Sequence, residues 1–118
     1  MDITPLIPQG RQIITGYGQG GFIVNHEAIT GSLLIRAERR ELWDAQITLD
    51  SLRPILDSGI DLLLIGTGAR IAMPSAALRA ALKAQGIGLE AMDTGAACRT
   101  YNILVSEERR VAAALLAV

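Results

Sequence analysis

Chemistry-bearing side chains are scarce in this chain. Its 118 residues include one cysteine, one histidine and four aromatics. The single cysteine, Cys98, excludes an internal disulfide and a multi-thiolate metal site. The lone histidine, His26, gives a metal no second imidazole to build on. Four aromatics (Tyr17, Phe22, Trp43 and Tyr101) are too few to stack the bases of a single-stranded nucleic acid. An excess of charge is missing as well. Eleven Lys and Arg against twelve Asp and Glu leave a net charge of −1 and a pI near 5.7, so no basic face awaits a phosphate backbone. The mean hydropathy of +0.34 raises the question of a membrane. A spanning helix needs about 20 mostly apolar residues. The longest uncharged stretch, Gln12 to His26, is broken by Gly16, Gly18, Gly20 and Gly21. The other apolar runs, Leu62–Ala69 and Val111–Val118, are strand-sized. Met1-Asp2-Ile3-Thr4-Pro5 has neither the basic nor the apolar region of a signal peptide. These absences predict a cytoplasmic protein without a membrane span, metal or cofactor.

What is present reads as one α/β domain over residues 1–118, with residues 1–10 as a flexible lead-in. The first half is β-branched and punctuated by glycine. Gln12–Thr15, Phe22–Val24 and Ser32–Ile35 read as strands at hairpin-like spacing, and Leu42–Ala45 as a fourth, forming an antiparallel meander. Arg39-Arg40-Glu41 reads as a solvated turn. In the second half, Leu49–Asp57 is a short or irregular helix because of Pro54. Leu62–Ile65 is a strand buried on both faces. Pro74 is placed to open a helix whose apolar side carries Leu78, Ala81 and Leu82, with Arg79 and Lys83 on the wet side and Gly86 as its stop. Gly88–Met92 is the next strand, so Leu62–Met92 predicts a right-handed parallel crossover. Asp93 or Thr94 caps a last helix running to about Ser106. The alanines of Val111–Val118 favour helix by propensity, whereas an apolar face all round suggests a buried strand. Strand is the reading taken.

The motifs are weighed the same way. Gly16-Tyr17-Gly18-Gln19-Gly20-Gly21 matches G-x-G-x-x-G, but the strand-like Phe22-Ile23-Val24 follows where a dinucleotide site needs a helix. It reads as a glycine-rich hairpin or bulge. Gly66-Thr67-Gly68 ends a buried strand, where open α/β sheets gather ligands, and Arg70 follows in the same loop. Together with Asp93, Thr94 and Arg99 it forms a candidate anion site, against the simpler reading of Asp93 as a helix cap. On the last helix Ala97, Cys98, Tyr101, Leu104 and Val105 share one stripe, which places Cys98 in the core as an inert apolar group. Nothing brings His26 to it, so no catalytic pair is expected. Arg99, Asn102, Ile103 and Ser106 form the opposite, solvated stripe, with Ile103 the apolar exception. Arg99, Asn102 and Ile103 are the candidate interaction surface.

With these segments in view, the sequence resembles a known family. Gly16-Tyr17-Gly18 with Gly21-Phe22, Gly31-Ser32-Leu33-Leu34, Trp43, Ile65-Gly66-Thr67-Gly68, and Met92-Asp93-Thr94 with Ala97-Cys98-Arg99-Thr100-Tyr101-Asn102 are similar to its signature. It is the Mth-like family of small domains of unknown function. The family includes the mitochondrial NADH:ubiquinone oxidoreductase (complex I) assembly factor 3 and the adipogenesis-associated Mth-like protein. The resemblance implies a three-layer fold with a mixed central sheet, and supports strand at the C-terminal run. It implies no catalytic residue and no cofactor. Where relatives tend to have Glu-Gly-Arg after the last helix, this chain has Glu107-Glu108-Arg109, which puts the backbone geometry of that turn in question.

The leading expectation is therefore a non-enzymatic assembly or interaction factor. Its partners would be other proteins, respiratory-complex subunits or assembly factors among them, with a homodimer and peripheral membrane contact as further expectations. The alternative is a small-molecule module, or an enzyme hard to recognise, using the Gly66-Thr67-Gly68 loop and the start of the Asp93 helix.

Overall fold

The computed structural model describes residues 10–57 and 59–118. The expected flexible lead-in falls, but for Gly10, outside these residues. Among the described residues eight strands form two sheets. In the first sheet, β1 (Ile14–Gly18), β2 (Gly21–Val24) and β3 (Glu27–Thr30) are an antiparallel meander. The second contains β4 (Leu33–Arg36), β5 (Arg39–Leu42), β6 (Leu62–Gly66), β7 (Gly88–Met92) and β8 (Val111–Leu115), in the order β5-β4-β8-β6-β7. It is mixed: β4 is antiparallel to β5 and β8, while β6 is parallel to both β7 and β8. The helices are α1 (Leu49–Leu52), continued by a 3-10 turn Arg53–Ile55, α2 (Ala76–Ala84) and α3 (Thr94–Ser106).

The period-2 alternation of the central strands makes three layers. Leu33 and Ile35 of β4, Leu64 of β6, and Val111, Ala113 and Leu115 of β8 face α3 and the three-stranded sheet. Leu34, Leu63, Ile65, Ala112 and Ala114 face the other way, toward Leu52, Ile55, Leu78 and Leu82 of the remaining helices. Each fully buried leucine or isoleucine contributes about 1.5–3 kcal/mol over an exposed one. This sandwiching explains the apolar fraction that first suggested a membrane. No helix among the described residues is long and apolar enough to cross one.

Several expectations need correction. Two hairpin turns place both central residues at positive φ: Gln19 and Gly20 at 53° and 79°, Asn25 and His26 at 48° and 70°. The second turn carries no glycine, so β3 escapes a reading that looks for one. The strand expected at Gln12–Thr15 starts at Ile14 and runs into the glycine motif, with a register shift between Ile14 and Gly16. Leu42–Ala45 is not a strand. The strand is the charged Arg39–Leu42, read above as a turn; it forms the outer edge of the sheet, where charged side chains deter further pairing. Pro74 does not open α2: Ser75 caps it, its hydroxyl accepting from the Leu78 N–H at 3.1 Å. Arg79 is half-buried, donating to the Leu89 carbonyl at 2.6 Å. The C-terminal strand ends at Leu115, three residues short of the expected Val118.

Candidate functional site

The loop after β6 and the first turn of α3 are brought together, as the anion-site reading requires. They are then joined to each other. Thr94 is fully buried; its hydroxyl accepts from the Gly68 N–H at 2.9 Å and donates to the Leu116 carbonyl at 2.8 Å. The Thr94 N–H donates to the Gly68 carbonyl, and the Thr67 N–H to the Met92 carbonyl, each at 2.9 Å. The Thr67 hydroxyl donates to the Arg70 carbonyl and accepts from the Ala72 N–H. Asp93 caps α3, its carboxylate accepting from the Ala96 N–H at 2.9 Å. A Cβ on Gly66 would come within 3.0 Å of the Thr94 Cα and the Leu115 Cδ2. Gly66 thus lets β6 and α3 touch. The donors of this cluster satisfy the fold instead of facing a ligand, and Arg70 alone of the loop set projects an exposed charge.

On α3 the core stripe is as expected: Ala97, Cys98, Tyr101 and Val105 are buried. Burial pushes the Cys98 thiol up to about 12, so it stays protonated and unreactive near neutral pH. Burial also raises the Tyr101 phenol, whose hydroxyl donates to the Gln12 carbonyl at 2.8 Å. His26 sits exposed in its hairpin turn. No group of three His, Cys, Asp or Glu among the described residues is placed to hold a metal.

The outer stripe is less uniform than a solvated face. Asn102 is half-buried and uses its whole amide on one residue: Oδ1 accepts from the Ile14 N–H at 2.9 Å and Nδ2 donates to the Ile14 carbonyl at 2.6 Å. It behaves as a strand partner for β1, a role that helical periodicity does not reveal. Arg99 donates to the Tyr17 hydroxyl at 3.3 Å, and that hydroxyl lies so close over Gly95 that a Cβ there would stand 2.6 Å from it. Ile103 remains 56% exposed, one turn beyond Arg99. Tyr17, itself 47% exposed, is a member of this face that the sequence reading had left in the glycine motif.

The turn after α3 keeps its special geometry without glycine. Glu108 has φ of 60°, and the Glu107, Glu108 and Arg109 N–H groups donate back to Ile103, Val105 and Leu104. The turn opens a second concavity, at the amino ends of β6 and β8, lined by Arg11, Arg36, Glu38, Glu108, Arg109 and Arg110. The sequence reading looked only at the carboxyl ends.

Comparison with known proteins agrees with this picture. An uncharacterised protein of Rhodobacter capsulatus is 45% identical over 107 residues, covering 91% of this chain and 86% of its own length. NADH dehydrogenase (ubiquinone) 1 alpha subcomplex assembly factor 3 of Xenopus tropicalis is 33% identical over 109 residues, 87% of this chain but only 60% of the relative. The chain thus spans about three-fifths of that assembly factor's length. The solution structure of a Bordetella pertussis protein, described as an Mth938-like domain, superposes with a TM-score of 0.80 at 30% identity, covering 98% of this chain and 92% of the other. The family model for proteins of unknown function DUF498/DUF598 matches residues 14–116. The chain belongs to the DUF498/DUF598 family, the Mth-like domains expected from its motifs.

Proposed function

We propose that the protein is a non-enzymatic assembly factor, acting in the cytoplasm by binding other proteins, and that its partners are respiratory-complex subunits or their assembly factors. The observation that carries this reading is the likeness to assembly factor 3 over nearly the whole chain. The exposed face of α3 supports a place for such binding. The face of α3 formed by Arg99 and Ile103, with Tyr17 beside it, presents exposed apolar surface flanked by a guanidinium, the composition of an interface anchor. Asn102 contributes by fixing α3 against β1. The anion-site alternative is not favoured, because its amides are engaged within the fold.

The test is affinity capture from native lysate with tagged wild type and Ile103→Asp, alongside thermal melts of both. Wild type should enrich respiratory-complex subunits or assembly factors, and Ile103→Asp should lose them while melting at nearly the same temperature. Recovery of no reproducible partner, of a second copy alone, or equal capture by both forms would overturn the proposal.

A further inference from the structure

The concavity at the amino ends of β6 and β8 lies at the opposite end of the central sheet from the Gly66-Thr67-Gly68 loop. Its volume is about 370 Å³, within the range of small-ligand sites. Four of the chain's eleven basic residues converge on it: Arg11, Arg36, Arg109 and Arg110. Glu38 and Glu108 share the lining, and Asp57 and Asp61 pair with Arg36 and Arg110 at its edge, so the guanidiniums left without an ion pair are those of Arg11 and Arg109.

The arginines divide into two kinds. Arg36, 8% exposed, is held by Glu38, by Asp57 and by the Ile55 and Asp57 carbonyls, and so is fixed in place. Arg110 makes a two-pronged pair with Asp61, at 2.9 and 3.1 Å. Arg11 and Arg109 have no ion pair among the described residues. Arg11 lines the cleft together with Glu38, whose carboxyl is lowered by the Arg36 hydrogen bond with help from the Arg11 charge. Glu108 is held at positive φ at the cleft's margin, where a glycine would be at ease.

We infer that this cleft is a binding site for a small phosphate-bearing anion, gripped by Arg11 and Arg109 over a floor set by Arg36. A phosphate monoester is nearly a dianion at neutral pH and would match the two unpaired guanidiniums, Arg11 and Arg109. Guanidinium forks pair with its oxygens two at a time, a geometry that lysine cannot offer. Glu108 would accept a hydrogen bond from a hydroxyl next to the phosphate, which favours a hydroxylated phosphate ester. Such a group can come from a soluble metabolite or from a phospholipid headgroup.

The experiment titrates the whole chain at low salt with inorganic phosphate, with glycerol 3-phosphate and with phosphatidylglycerol vesicles, following backbone amide shifts by NMR. Saturable shifts at Gly59, Ile60 and Glu108–Val111 are expected, with a Kd of about 1 mM or tighter for glycerol 3-phosphate. Arg109→Gln and Arg11→Gln should each weaken binding about tenfold or more, as loss of a charge-assisted hydrogen bond requires. Lys83→Gln, outside the cleft, should leave it unchanged. Response to the vesicles alone would assign the phosphate to a headgroup and uphold the site. Response to none of the three, or binding indifferent to Arg109→Gln and Arg11→Gln in folded protein, would overturn it.

Discussion

Thr94 shows how one hydroxyl decides what a loop can do. Its oxygen accepts a hydrogen bond from the Gly68 amide and donates one to the Leu116 carbonyl, and so ties the β6 loop, α3 and the chain beyond β8 together. Thr94→Val would keep the shape and take the partner from both of these half-buried groups. It should cost about 2–4 kcal/mol in urea unfolding, with Thr94→Ser recovering most of the loss. Glu108 makes the opposite case. A side chain in the left-handed region costs about 1–2 kcal/mol, so Glu108→Gly should stabilise the fold by roughly 1 kcal/mol, read as a higher denaturation midpoint at unchanged slope. Cys98 yields a pH dependence. Its folded value, about 12, lies above the ordinary 9.0, so the unfolded chain gives up the thiol proton first. Stability due to this group is intact below pH 9.0 and falls as pH rises toward 12. Cys98→Ala should flatten that part of the profile, measured by denaturant melts at stepped pH.

At the scale of elements, legibility followed local signals. The boundaries of β7 and α3 could be read because Gly86, Asp93 and a periodic apolar stripe mark them within a few residues of chain. β5 could not be read, because an edge strand with one side in solvent carries the charges of a turn. β3 could not either, since its turn depends on Asn25 and His26 accepting positive φ. The candidate site divides the same way. Asp93 was visible as a cap, whereas the engagement of the Gly68 and Thr94 amides depends on two elements meeting, and no local pattern encodes that. The arginines of the cleft are scattered from Arg11 to Arg110, and long-range contacts gather them: β4 pairs with β8, and the Gln12 N–H donates to the Ala37 carbonyl. Asn102 belongs here too. Asn102→Ala should release the Ile14 amide, whose hydrogen exchange would accelerate well beyond that of Leu64 in the core, while Asn102→Asp, which keeps the acceptor for that amide but loses the donor to the Ile14 carbonyl, should restore part of the protection.

The whole molecule is a central sheet with a separate apolar core on each face. A charged clamp links β4 and β5 to the segment after α1: Asp57 accepts from both Arg36 and Arg39, at 2.9 and 2.7 Å. The Arg39 hydrogen bond holds the Asp57 carboxyl below its usual 3.8, and the Arg36 hydrogen bond holds Glu38 below 4.5. Lowered folded values mean stability that is present above about pH 4.5 and is lost as pH falls through the folded values of these groups. Acid melts should show this loss. Among the described residues, Ile103 of α3 is an exposed large apolar side chain carried by a helix. The direct measurement is hydrogen exchange of the purified protein alone and bound to a respiratory-complex partner recovered by capture. Added protection confined to Tyr17 and to residues 99–106 would support an assembly factor that docks through this face. Protection elsewhere, with these amides unchanged, would contradict it.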